Sequence, residues 1–162
     1  MTTTWSAPRL GKNSTIYRNT GSWGTPSLAT LRNCKDVKVP QSYQEDDVTA
    51  RITGGVEAMV TTLQKYGVSW QMFDDDGPDI TAIRTAYYAQ SVIEFFVFNG
   101  LATDAAAHGV RMTCQVKKFD IDQSNPKANT YDVEIGITWP DPTSSAGSAS
   151  AVAGGSTWTV AS

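Results

Sequence analysis

Residues that carry covalent or metal chemistry are scarce in this sequence. One histidine, His108, and two cysteines, Cys34 and Cys114, are spread over 162 residues. A lone imidazole and two distant thiols cannot supply a zinc ligand cluster or a histidine-based triad. His108, with Asp104 before it and Gly109 after it, reads as an exposed loop residue. Two cysteines make no disulfide framework. A bond between them is possible, but buried free thiols packing as small hydrophobes are the simpler expectation.

Other signatures are missing too. No serine sits in a Gly-x-Ser-x-Gly elbow, and Gly54-Gly55 lacks the Lys-Ser/Thr that completes a phosphate loop. Asp74, Asp75, Asp76 and Asp79 could hold calcium through oxygen ligands. They lack the ordered spacing and terminal Glu of an EF-hand, and an acidic turn before a helix explains them without a metal. Asp132 and Glu134 could be imagined as a glycoside-cleaving pair, but they fit the wet side of a strand more simply. Charged residues make up 18% and the net charge is −3, so the basic excess of a phosphate-neutralising DNA reader is absent. No apolar run approaches the roughly 20 residues that span a bilayer. Met1–Trp5 lacks the basic start and apolar core of a signal peptide. The expectation is a non-enzymatic protein with no metal or cofactor and no membrane insertion, made and used in a cytoplasm or packaged from one.

What the chain does hold is strand pattern. Apolar residues reach 40%, enough for one packed domain. Residues 1–26 are polar but carry Trp5, Ile16, Tyr17 and Trp23, and read as an arm that docks on its own domain or on a neighbour. Residues 27–142 read as a β domain. Leu28–Val39 has strand character up to Pro40, and the polar Gln41–Asp47 opens a long connection reaching Thr53. Val56–Leu63 could be drawn as a helix, but its β-branched Val60-Thr61-Thr62 favours a strand. Val68–Phe73 alternates. An amphipathic helix is predicted over residues 79–90, with Asp79 as N-cap and a stripe of Ile80, Ile83, Ala86 and Tyr87. The apolar run Val92–Phe98 follows. Val110, Met112, Cys114 and Val116 alternate with polar residues, as do Tyr131, Val133, Ile135, Ile137 and Trp139. That is the mark of antiparallel sheet covering a core. Residues 143–162, rich in Ser, Ala and Gly, read as a flexible tail. It ends in Thr157-Trp158-Thr159-Val160, a patch able to add to a sheet edge.

The order of pieces from Ile16-Tyr17-Arg18-Asn19 through Trp23-Gly24-Thr25-Pro26, Asp47–Arg51, Gly54-Gly55, Ser69–Asp74, the lone helix, Phe95-Phe96-Val97, Gly109–Phe119 and Tyr131–Ile135 resembles phage tail tube proteins. The resemblance spans about residues 16–139. It implies a mainly β fold: a two-sheet antiparallel β-sandwich or barrel with one flanking helix, a long inter-strand loop and extended terminal arms. It also implies six-membered rings stacked into a tube in the virion tail, built in the host cytoplasm, with DNA passing transiently through the lumen. Tape-measure, terminator and baseplate proteins would be its partners. The loop near Gln41–Thr53 and the terminal arms would touch neighbours, which makes Tyr17, Trp23, Tyr43, Glu45, Asp46, Asp47 and Trp158 candidate inter-subunit contacts. Glu57, Asp132 and Glu134 are candidate lumen-facing acids. The alternative is a β-sandwich binding module that decorates a capsid or recognises a receptor. A small hydrolase with a non-obvious site is the third reading.

Overall fold

The computed structural model describes residues 14–47, 59–123, 128–138, 149–155 and 158–161. Ten strands and one helix follow in chain order. They are β1 Thr15–Asn19, β2 Ser27–Thr30, β3 Cys34–Lys38, β4 Gln41–Asp47 and β5 Met59–Phe73, then α1 Pro78–Ala89. After the helix come β6 Ile93–Phe98, β7 His108–Asp122, β8 Thr130–Ile137, β9 Ala149–Ala153 and β10 Thr159–Ala161. The strands hydrogen-bond in the order β10-β2-β1-β6-β7-β8-β5-β3, with β4 added to β5 and β9 to β7. Every pairing is antiparallel except β10 on β2.

This path does not stay flat. Trp70 on β5 meets Phe95 on β6 edge-on at 5.4 Å between ring centroids. With β8 and β7 lying between those strands, a flat sheet would hold them about 14 Å apart. The sheet therefore folds over itself through β7, whose register slips between Val116 and Lys118, and such bulges bend a strand. Inside the fold Val68, Trp70, Met72, Val133, Ile135, Val116 and Phe119 face Ile16, Phe95, Val97 and Met112. Ile80 and Ile83 of α1, both 0% exposed, complete that core.

A second apolar cluster lies on the opposite face of β6. Tyr17, Leu28, Phe96, Phe98, Ala102 and Ala107 pack there, covered by Val152, Trp158 and Val160. The unbroken Phe95–Phe98 run is the sequence of a strand buried on both faces. The residues expected to form a flexible tail supply the cover: β9 pairs with His108–Met112 and β10 with Ser27–Ala29. Gly154 donates to the Ala107 carbonyl at 2.8 Å. A Cβ there would lie 2.2 Å from the Asp104 carbonyl oxygen, so only glycine permits this closure.

Several local expectations shift. The helix starts at Pro78, with Gly77 rather than Asp79 as N-cap. Proline at the first helical position loses no helical hydrogen bond, and Asp79 turns instead to Arg18, 2.8 Å away. Leu28–Val39 is two strands, broken at Asn33 in the left-handed region with φ 60°. Asn tolerates that conformation, and its side chain donates to Asp75 at 2.9 Å. Gln41–Asp47 is not loop but strand β4. A polar strand on a two-stranded ribbon lacks the apolar alternation by which strands are recognised. Residues 48–58 lie outside the described residues.

Candidate assembly surfaces

β3 and β4 run in succession along one side of β5, from Cys34 opposite Met72 to Asp47 opposite Met59. They form one long hairpin arm, interrupted at Val39-Pro40. Its base, β3 on Gly67–Phe73, continues into β8 and β7. Its far end, β4 on Met59–Tyr66, pairs with no third strand among the described residues and forms a ribbon about 25 Å long.

The four strands β3, β5, β8 and β7 bury one face in the core and turn the other to water. On the wet face, register sets side chains in rows across the strands. Lys38, Ser69, Glu134 and Lys118 form one row, and Lys35, Gln71, Asp132 and Asp120 the next. Phe73, Thr130 and Asp122 form a third. Lys118 reaches Asp120 at 3.3 Å, and the Lys35 ammonium lies 5.2 Å from the Phe73 ring centre. This face is mixed in charge.

The four-stranded sheet has unlike sides. The far side of β3 carries no strand among the described residues. From Gln115 onward β7 has β8 on one side and no described strand on the other. The helix flanks the first part of that open side: Gln115 donates to the Gln90 carbonyl at 3.1 Å, and Tyr87 meets Phe119 at 6.0 Å. Asp120, Ile121 and Asp122 beyond it are exposed.

The candidate contact residues are distributed unevenly. Tyr17, expected to meet a neighbour, is 2% exposed and its hydroxyl accepts the Ala102 amide at 3.1 Å, so it is a core residue. The reason is that Thr15–Asn19, assigned to an arm, lies between β2 and β6. Trp158 is half-buried against Phe96 and Phe98 and donates to Ala153 O at 2.8 Å. Trp23, half-buried, lies under the Arg111 guanidinium, whose carbon is 3.4 Å from the ring centre. Tyr43, Glu45, Asp46 and Asp47 are on the ribbon, opposite Gln64, Thr61, Val60 and Met59. Asp132 is half-buried and Glu134 exposed on the wet face, while Glu57 lies outside the described residues.

Sequence reading missed a part-buried ion pair. Arg111, 9% exposed, pairs with Glu94, and its guanidinium donates to Trp23 O at 2.7 Å. Asn19 donates to the other Glu94 oxygen. The network fastens the β1–β2 connection to the sheet. Its signal was a charged residue on each of two neighbouring strands, Glu94 in an otherwise apolar run.

The other chemistry-bearing groups are tied up locally. Asp74 accepts the Tyr131 hydroxyl at 3.1 Å, and Asp75 accepts the Gly77 amide at 2.9 Å. Among the described residues no cluster of three or more His, Cys, Asp or Glu could hold a metal. No described helix is long and apolar enough to cross a membrane. Both cysteines are free, and burial pushes each thiol up to about 12, which keeps them protonated and weakly nucleophilic.

No protein-family model and no curated protein matches the sequence. Solved structures do. A chain from the tail of an empty gene transfer agent (GTA) particle, refined helically with C6 symmetry, superposes with a TM-score of 0.69 at 18% identity, over 90% of this chain and 100% of that one. A chain of the native GTA particle virion gives 0.66 at 17% identity, with the same coverage. The SPP1 tail tube gives 0.65 at 10% identity, over 80% of this chain and 75% of that one. The chain has the tail-tube fold.

Proposed function

We propose that this chain is the structural subunit of a phage tail tube, acting in the virion tail after assembly in the host cytoplasm. Copies join head to tail into rings, and rings stack around a lumen that passes DNA during genome ejection. The observation that carries this reading is the four-stranded sheet β3–β5–β8–β7 with its two unlike open sides. Its strands alternate in direction and are even in number, so β3 runs opposite to β7. Rotation about a tube axis preserves direction, and β3 of the next copy therefore arrives antiparallel to β7. Repetition closes a uniformly antiparallel barrel and removes every edge of that sheet.

An odd count would force a parallel joint at each boundary. Ring size follows the likeness to the GTA tail with its C6 symmetry. Six copies bring about 24 strands together, and the backbone cylinder is then about 40–50 Å across, wide enough for a DNA duplex after side chains are added. Only the wet face can line that lumen, because the other is buried in the core. Asp132 and Glu134 then face the passage, where carboxylates discourage DNA from sticking. The ribbon of β4 and β5 is the contact to the adjacent ring. Tape-measure, terminator and baseplate proteins meet the tube at its ends and bore.

Negative-stain microscopy of concentrated protein tests this reading. Rings or tubes with a central hole are expected. Discrete monomers at every concentration, with or without other tail proteins, would refute it.

A further inference from the structure

The two open sides of the wall sheet carry charges of opposite sign at matching spacing, among others of their own. β3 presents Lys35 and Lys38 with Asp36 between them, and the end of β7 beyond the helix presents Asp120 and Asp122 after Lys118, all exposed. The cross-strand rows fix which of them can meet. If rows joined without offset, Lys35 of the next copy would lie beside Asp120, but Lys38 would lie beside Lys118. An offset of one row in one direction puts Lys38 beside Asp120 and Lys35 beside Asp122. The opposite offset puts Lys35 beside Lys118. Only one of the three registers makes both contacts attractive.

Chirality selects the same register. Phe73 points to the wet face, and its amide donates toward β3, to Asn33 O at 3.1 Å. For L-residues this fixes the left-to-right order of the strands once the wet face is turned to the lumen. Closed barrels need a stagger, and strand twist gives that stagger one hand. With this strand order, the stagger carries Asp120 down onto the next copy's Lys38 row. Asp36, in the left-handed region at φ 55°, kinks β3 between the two lysines. The kink prevents a long uninterrupted ladder, so side-chain charge has to set the register.

We propose that β3 of one copy docks on the end of β7 of the next with a one-row stagger, pairing Lys38 with Asp120 and Lys35 with Asp122. The partner is a second copy of this chain, and the proposal rests on the tail-tube reading. In forming the joint, Asp120 exchanges its exposed contact with Lys118 for one with a neighbour.

Charge reversal tests it. Asp120→Lys with Asp122→Lys, and separately Lys35→Asp with Lys38→Asp, should each raise the concentration needed for assembly at least tenfold. Circular dichroism and the melting temperature should stay near those of the parent. Combining all four changes in one chain should restore tubes. Normal assembly by either double variant, or failure of the fourfold variant to recover, overturns the proposed register and leaves the tube reading standing. A parent protein that never forms rings or tubes overturns both.

Discussion

Gly67–Phe73 and Met59–Tyr66 belong to one fifteen-residue strand, yet the first half lies between β3 and β8 while the second, among the described residues, has β4 alone. In the first half Val68, Trp70 and Met72 are nearly inaccessible to water. The second half faces Gln-Ser-Tyr-Gln-Glu-Asp-Asp, a polar strand with no apolar stripe. Two-stranded ribbons are marginal by themselves in water. The ribbon therefore draws its order from the body behind it or from another copy, whereas the body has a core of its own. On the proposed tail-tube reading, stability and assembly fall to different stretches of one strand, and mutations should separate them.

The largest effect belongs to the body. Ile83→Asp places a carboxylate where the side chain is 0% exposed, and should cost more than about 4 kcal/mol, unfolding the domain rather than only blocking assembly. Retention of the thermal transition would show that the helix stripe does not hold the core. Arg111→Ala comes next. It leaves Glu94, 13% exposed, without its cation and held only by Asn19, and a loss of about 3 kcal/mol is expected in chemical denaturation. Glu94→Gln added to it should recover part of that loss, which mere loss of packing would not allow.

Excising the ribbon sharpens the contrast. Replacing Ser42–Lys65 by a two-residue Asn-Gly turn reconnects Gln41 and Tyr66, which are already paired. The melting temperature should move by only a few degrees while tubes disappear from micrographs. Normal tubes from that variant would remove the ribbon from the inter-ring contact. The smallest effect is Thr113→Val. The Thr113 hydroxyl is buried with no hydrogen-bond partner among the described residues. An isosteric apolar replacement should leave stability unchanged or raise it by about 1 kcal/mol, read as the denaturation midpoint.

The same contrast explains what could be read from the sequence. β7 and β8 alternate because one face is dry and the other wet, and both were evident. The helix, expected over 79–90 and found at Pro78–Ala89, announced itself by the spacing of Ile80, Ile83 and Ala86. In sequence the ribbon reads as a loop because strand recognition depends on a buried face, which β4 does not advertise. Tyr17 reads as an arm residue for a related reason. The double-sided burial of Phe95–Phe98 demands a second cover, and composition alone did not show that Ser-, Ala- and Gly-rich residues provide it. The edge lysines and aspartates were invisible as a set, since only strand register brings Lys35 into line with Asp120.

One mechanical consequence follows from the continuity of β5. Its backbone runs from the four-stranded sheet into the ribbon as one strand, about 50 Å from end to end, with a single register slip at Thr62. A push delivered at the outer tip cannot be absorbed by rotating a linker; it must shear ladders of hydrogen bonds, flex the strand at that slip or tilt the sheet behind it. The strand is a lever arm, and in the proposed tube a stack built from such levers would transmit torsion from ring to ring.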